Sequence, residues 1–203
     1  MAKMNTGPIP LIEEWFSDHD GDGEFAWHER TDAYSIIGPA GTEAHWLFTT
    51  KPACVLRAIG DKIISDRFVM IGGHGLPSAD DLNWIARLVA TGRLSFLGDL
   101  DPVDLLIYRW LQTQLHPLDV AHLGINDTFL GALAFEETEP RRIPLSASER
   151  EALRLLNRCF PELVETVGTQ CAELLKSGWK LELEAFVTGG AARFAELILD
   201  ATK

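Results

Sequence analysis

No apolar run in this chain approaches the ~20 residues a helix needs to cross a bilayer, so a membrane-spanning helix is excluded. Cysteine is scarce: Cys54, Cys159 and Cys171 have no metal-ligand spacing and read as small core hydrophobes of a reducing compartment. No G-x-x-x-x-G-K-[ST], G-x-G-x-x-G or G-x-S-x-G stretch occurs, which leaves a nucleotide-binding loop and a serine nucleophile elbow unsupported. Basic charge is also short, with 18 Lys and Arg against 30 Asp and Glu and a formal net charge of −12. A protein that grips nucleic acid unaided presents a basic patch that releases counterions from phosphate. Here the clearest basic group, Arg141-Arg142, is flanked by Glu136, Glu137 and Glu139, so DNA binding would need a protein partner or a metal to offset the field. The first residues, Met1 to Pro8, lack the apolar core of a signal peptide, and a cytoplasmic location is expected.

What is present is an ordinary globular balance, 46% hydrophobic and 24% charged, long enough to bury a core in one main domain. Apolar strand-like runs alternate with helical periods: a strand at Ala44 to Thr49, a helix at Ala53 to Ile64, a strand at Arg67 to Gly72, a helix at Asp80 to Ala90 and a strand at Leu94 to Gly98. A helix from Val103 to Leu115, a strand at Asp119 to Leu123 and three helical stretches between Ser148 and Asp200 follow. This order predicts an α/β fold, a parallel sheet of about four strands with helices on both faces and additional C-terminal helices. Ser146-Ala147-Ser148-Glu149 is a capping box, Pro161 and Gly178 punctuate the C-terminal helices, and Glu136 to Pro144 reads as an exposed loop.

Residues 1–43 look different and are expected to form a short N-terminal appendage to an α/β domain over residues 44–203. Within the appendage, Asp18 to Glu29 fits the 12-residue EF-hand loop. Asp18, Asp20 and Asp22 stand at its first three ligand positions, Gly23 at its turn and Glu29 at its end. Three short carboxylates and one bidentate carboxylate would hold a structural Ca²⁺. The surroundings offer only a short helix before the loop and no second EF-hand, and the plainer reading is an acidic, glycine-rich turn.

At Gly98-Asp99-Leu100-Asp101-Pro102 two carboxylates crown the end of a strand, where ligands gather in open α/β sheets. Acids one residue apart can both reach a hard, oxygen-seeking cation such as Mg²⁺. The plainer alternative is a helix N-cap, with Asp99 or Asp101 capping and Pro102 at the first helical position. Gly72-Gly73-His74-Gly75 forms a glycine-rich turn after another strand, at the same sheet edge. The other histidines, His19, His28, His45, His116 and His122, form no ligand pattern.

Five pieces in order resemble the Toprim domain of the topoisomerase VI A subunit, its meiotic double-strand-break relatives and the nuclease subunit of Wadjet-type plasmid-defence complexes. The resemblance runs from about Ala44 to Phe186. Trp46 to Lys51 stands where the family has an apolar strand ending in glutamate and then lysine; Val69 to Pro77 resembles its strand and glycine-x-proline turn. Phe96 to Pro102 resembles its aspartate-x-aspartate-proline strand end, Ala121 to Ile125 its leucine-glycine-leucine segment, and Lys180 to Ala185 its lysine-x-glutamate-x-glutamate helix.

The resemblance implies a Toprim-like, Rossmann-like fold in which Asp99 and Asp101 hold Mg²⁺ for phosphodiester chemistry. Two departures bear on activity. The family glutamate is replaced by Thr50, whose hydroxyl neither neutralises a cation nor exchanges a proton near neutral pH. A family glycine after the acid pair is Asp104, which would restore a negative charge to the site. The winged-helix domain that carries the nucleophilic tyrosine of the topoisomerases is missing, and neither Tyr34 nor Tyr108 lies in such a context. Three readings stand. The first is a stand-alone, degenerate or accessory Toprim-like protein of a DNA-processing system with weak Mg²⁺ binding, a protein partner and a homo-oligomer among its expected assemblies. The second is a metal-dependent DNA nuclease with Asp99, Asp101 and Asp104 catalytic, or Glu43 in place of Asp104. The third is a non-catalytic acidic interaction module.

Overall fold

Strands β2 (His45–Thr49), β3 (Phe68–Gly73) and β4 (Leu94–Leu97) are short apolar runs bounded by polar segments or glycine. Every residue of β3 and β4 is buried, the pattern of strands covered on both faces. The computed structural model describes residues 8–19, 34–37, 45–58, 68–73, 75–90, 93–132 and 141–201, and the architecture below is that of these residues. β2, β3, β4 and β5 (Val120–Gly124) form a four-stranded parallel sheet flanked by helices, a Rossmann-like α/β arrangement as expected. A further strand, β1 (Tyr34–Ile37), pairs antiparallel with β3 at the sheet edge. It was not anticipated, because four residues carry too little alternation to register as a strand.

The sheet order is β1-β3-β2-β4-β5. The chain leaves β2 for β3 on one side and then crosses to β4 on the other, which makes the carboxyl ends of β2 and β4 the topological switch point. Helix α1 (Pro8–Asp18) precedes β1, α2 spans 52–58, and α3 (Ala79–Val89) starts at a Ser78–Asp81 capping box and buries Ile85 and Val89. Helix α4 (Pro102–Gln114) is nearly all buried because α1 and α6 (Ala147–Cys159) pack over it. Ile12, Trp15 and Phe16 of α1 join the same core as the sheet, and Trp110 Nε1 donates to Glu13 Oε1 at 3.1 Å.

The C-terminal region departs from the expected three helices. After α5 (Asp127–Ala132), β6 (Ile143–Pro144) and α6 come α7 (Leu163–Val167), α8 (Thr169–Lys176), β7 (Trp179–Lys180) and α9 (Glu184–Ala201). The split between α7 and α8 falls at Gly168, whose φ of 90° is open to glycine and strained for other residues. The Asp127 carboxylate fills the space there, 2.2 Å from where a Cβ would sit, and accepts hydrogen bonds from the α8 amides of Gln170 and Cys171. A cap supplied by a residue about 40 positions upstream leaves no local sequence signal. The expected capping box of α6 is present, with Ser146 and Glu149 each accepting from the other's backbone amide. β6 and β7 form a small antiparallel sheet within and beyond the segment expected to be loop. The glycine turn at His74, Glu43 and the loop residues Asp20, Asp22 and Glu29 lie outside the described residues, whereas Asp18 ends α1.

Candidate metal centre

Asp99 and Asp101 stand just beyond β4, and Pro102 opens α4 as its first residue. The capping role weighed for this segment falls to Asp101, whose Oδ1 accepts from the Asp104 amide at 2.8 Å. Capping does not displace the cation reading; it assembles the cluster. Once Asp101 starts the helix, the first turn swings Asp104 back beneath the end of the strand. There Asp104 Oδ2 accepts from the Asp99 amide at 2.7 Å and from the Thr50 hydroxyl at 2.7 Å. Gly98 makes this approach possible, since a Cβ there would lie 2.6 Å from Asp104 Oδ2 and 2.7 Å from the Phe96 ring.

Asp99, Asp101 and Asp104 each offer a carboxylate oxygen within 4.8 Å of the others, and they are only 2%, 8% and 7% exposed. This cluster could hold a metal ion. Three like charges at that spacing repel by about 3.5 kcal/mol per pair at an effective dielectric near 20, or roughly 10 kcal/mol together. That equals the whole stability of a typical domain, about 5–15 kcal/mol, so the cluster must offset it with retained protons, with the nearby lysines or with a bound cation. Burial first, and then the Asp101 charge, pushes the Asp99 carboxyl up to about 7 against the pull of Lys51. Burial likewise raises Asp101 despite the Asp104 amide, and burial with the charges of Asp101 and Asp99 lifts Asp104 well above the ordinary carboxylate range.

The surrounding charges come from distant segments. Lys51, just after β2, places its ammonium 2.8 Å from Asp99 Oδ2 and 3.8 Å from Glu184 Oε2 of α9. Burial works to lower the Lys51 pKa, but the Asp99 carboxylate beside it prevails and holds it above its usual value. Asp99 Oδ1 accepts from the Leu183 amide at 2.8 Å, and Leu100 exchanges two backbone hydrogen bonds with Leu181. These bonds clamp the segment between β7 and α9 over the acids. Lys180 forms a 2.6 Å ion pair with Glu149, which is 3% exposed, and it lies 3.6 Å from Glu182.

The structure thus unites the sequence-derived Asp99, Asp101 and Asp104 with Thr50. Asp18 sits at the end of α1, outside this cluster. Lys51, Glu149, Lys180 and Glu184 were missed as site residues. The lysine-x-glutamate-x-glutamate pattern held a signal for two of them, but Glu149 already had a local role in its capping box. Fold and site together define a Rossmann-like α/β protein with a buried three-aspartate cluster at its switch point. No family model matches the chain, and no curated protein matches it.

Proposed function

We propose that the chain is a Toprim-like domain whose Asp99, Asp101 and Asp104 bind Mg²⁺ weakly, and that it acts as an accessory, catalytically degenerate member of a DNA-processing system. The observation that carries this reading is the Thr50–Asp104 hydrogen bond of 2.7 Å. At the end of β2, where the resembled family has a glutamate, this chain has a hydroxyl, and the third acid comes from α4 instead. Oxygen donors alone suit a hard cation. Affinity is weakened because Asp104 is already engaged by a hydroxyl and an amide, Asp101 caps a helix and Asp99 carries Lys51. With a net charge of −12, contact with DNA falls to the metal or to a protein partner that supplies basic surface. Ca²⁺ in the loop of Asp18, Asp20, Asp22 and Glu29 is a separate, structural part of the proposal.

One observation favours the alternative, an active Mg²⁺-dependent nuclease: Asp104 keeps the number of acids at three. Titrating Mg²⁺ and Ca²⁺ separately into wild type, Asp99→Ala and Asp20→Ala while following heat stability tests the metal sites, because a ligand of the folded state raises its stability by mass action. Mg²⁺ should stabilise wild type and Asp20→Ala but not Asp99→Ala, and Ca²⁺ should lose its effect in Asp20→Ala. No shift in any of the three proteins with either ion would sink both metal sites. Plasmid nicking in Mg²⁺ or Mn²⁺ that disappears in Asp99→Ala and Asp101→Ala would replace the degenerate reading with the nuclease.

A further inference from the structure

The Lys51 ammonium lies between two carboxylates from different parts of the chain. It makes a hydrogen-bonded ion pair with Asp99 Oδ2 at 2.8 Å and stands 3.8 Å from Glu184 Oε2, beyond hydrogen-bond reach. That Glu184 oxygen is itself shielded and has no hydrogen-bond partner, while the rest of the side chain is 41% exposed. A shielded acceptor without a hydrogen bond is unfavourable, so an unpartnered oxygen one short step from a lysine marks a second seat for it. Lysine suits such a role: its ammonium is a compact point charge on a flexible stem, able to change partners by rotating a terminal bond. The first seat, Asp99, is also a member of the three-aspartate cluster. A cation entering there meets a carboxylate already neutralised, and two cations cannot share one oxygen closely without repelling.

We propose that Lys51 and Glu184 form an exchange pair: a divalent cation entering the cluster displaces the Lys51 ammonium from Asp99 onto Glu184 Oε2. This rests on the proposal that the cluster binds Mg²⁺, and it assigns to Lys51 and Glu184 the setting of that affinity. Lys51 competes with the cation for Asp99, and Glu184 lowers the cost of its departure. Glu184 suits the task because it begins α9, directly after Leu183, whose amide fixes Asp99. The two seats are therefore tied to one backbone turn. Both residues are positioning residues and neither needs to touch the cation.

Calorimetric titration of the full chain with Mg²⁺, and with Mn²⁺ as a second probe, tests the exchange. Lys51→Met should bind either ion at least tenfold more tightly than wild type, and Glu184→Gln severalfold more weakly. In the double variant the Glu184→Gln effect should vanish, because without the lysine there is nothing for Glu184 to receive; neighbouring residues that act through one another are non-additive. If Glu184→Gln weakens binding equally with and without Lys51, Glu184 acts on the cation by its own charge and the exchange is overturned. Affinities unchanged in both single variants overturn it too, while leaving the metal site standing. Absence of binding in wild type and Lys51→Met alike shows instead that the metal site is wrong. Should Lys51→Met fail to fold, Lys51→Arg serves: its fork spans both carboxylates and keeps hold of Asp99, so cation affinity should drop, and wild-type affinity there would refute the exchange.

Discussion

Replacing Asp104 with Asn removes one charge from the cluster while keeping its shape. The donors that Asp104 receives, the Thr50 hydroxyl and the Asp99 amide, can both be met by the Asn carbonyl oxygen. Two of the three like-charge pairs disappear, each worth about 3.5 kcal/mol. Wild type limits that repulsion by retaining protons, and retention has its own cost. For an acid whose folded pKa is raised, the folded state holds a proton that the unfolded state has lost. Stability is therefore full below the unfolded value and declines as pH rises, until the folded value is passed. For Asp104, the group replaced, that window opens at 3.8 and extends well above it, because burial and then the charges of Asp101 and Asp99 hold its proton. At about 1.4 kcal/mol per pH unit, the decline between pH 5 and pH 8 reaches at most about 4 kcal/mol for one proton. Asp104→Asn should therefore match wild type near pH 5 and exceed it by about 2–4 kcal/mol near pH 8 in EDTA, allowing about 1 kcal/mol for imperfect hydrogen bonding.

For a chain of this size each kcal/mol moves the melting temperature by about 2–4 °C. The assay is thermal and urea denaturation of both proteins at the two pH values, with EDTA and then with Mg²⁺. The difference between the proteins is the quantity to follow, because His122 tilts the shared baseline. Its ring stacks on Phe96 and meets Tyr108 edge-on, both ring nitrogens are buried without partners, and burial pushes its pKa down to about 4. A base so depressed loses stability as pH falls below its ordinary 6.5, opposite in sign to the aspartates. Mg²⁺ should then raise wild-type stability near pH 8 and leave Asp104→Asn unchanged. An Asn variant no more stable than wild type near pH 8 in EDTA would refute the claim that the three carboxylates repel.

Gly98→Ala puts a Cβ 2.6 Å from Asp104 Oδ2, and it should cost about 1–3 kcal/mol and weaken Mg²⁺ binding together, as read by denaturation and calorimetry. Lys180→Met leaves Glu149 buried without its partner beside Asp101 and should cost about 3–5 kcal/mol in urea denaturation; a loss under 1 kcal/mol would show that the pair is not held in the fold. Asp127→Ala removes the cap of α8 and should cost about 1 kcal/mol. Burial opposes ionisation of Asp127, but the Cys171 and Gln170 amides together outweigh it and hold its carboxyl below the ordinary range. Its contribution is therefore present at neutral pH and lost as pH falls through the lowered value, and a pH series on both proteins should converge in acid.

The sequence by itself determined the alternating strand–helix order, the capping box at Ser146 and Glu149 and the placement of Asp99 and Asp101 at a strand end, because each depends on residues a few positions apart. Period, cap and turn are local properties, and the chain states them directly. The far end expected for α2, as far as Ile64, lies outside the described residues. The break at Gly168 went unseen because Asp127, which fixes it, lies far away in the chain. Only the tertiary structure decided that Asp101 serves as cap and cluster member at once, and that Asp104 is drawn to Thr50. It also decided that Lys51, Lys180, Glu149 and Glu184 surround the acids. Those relations join residues up to 133 positions apart, since Lys51 meets Glu184. The physical reason is the crossing of the chain between β2 and β4: it brings two strand ends and the start of α9 to one edge of the sheet. No local pattern encodes which charges will share that edge, and the energy of the cluster is set by their distances and burial.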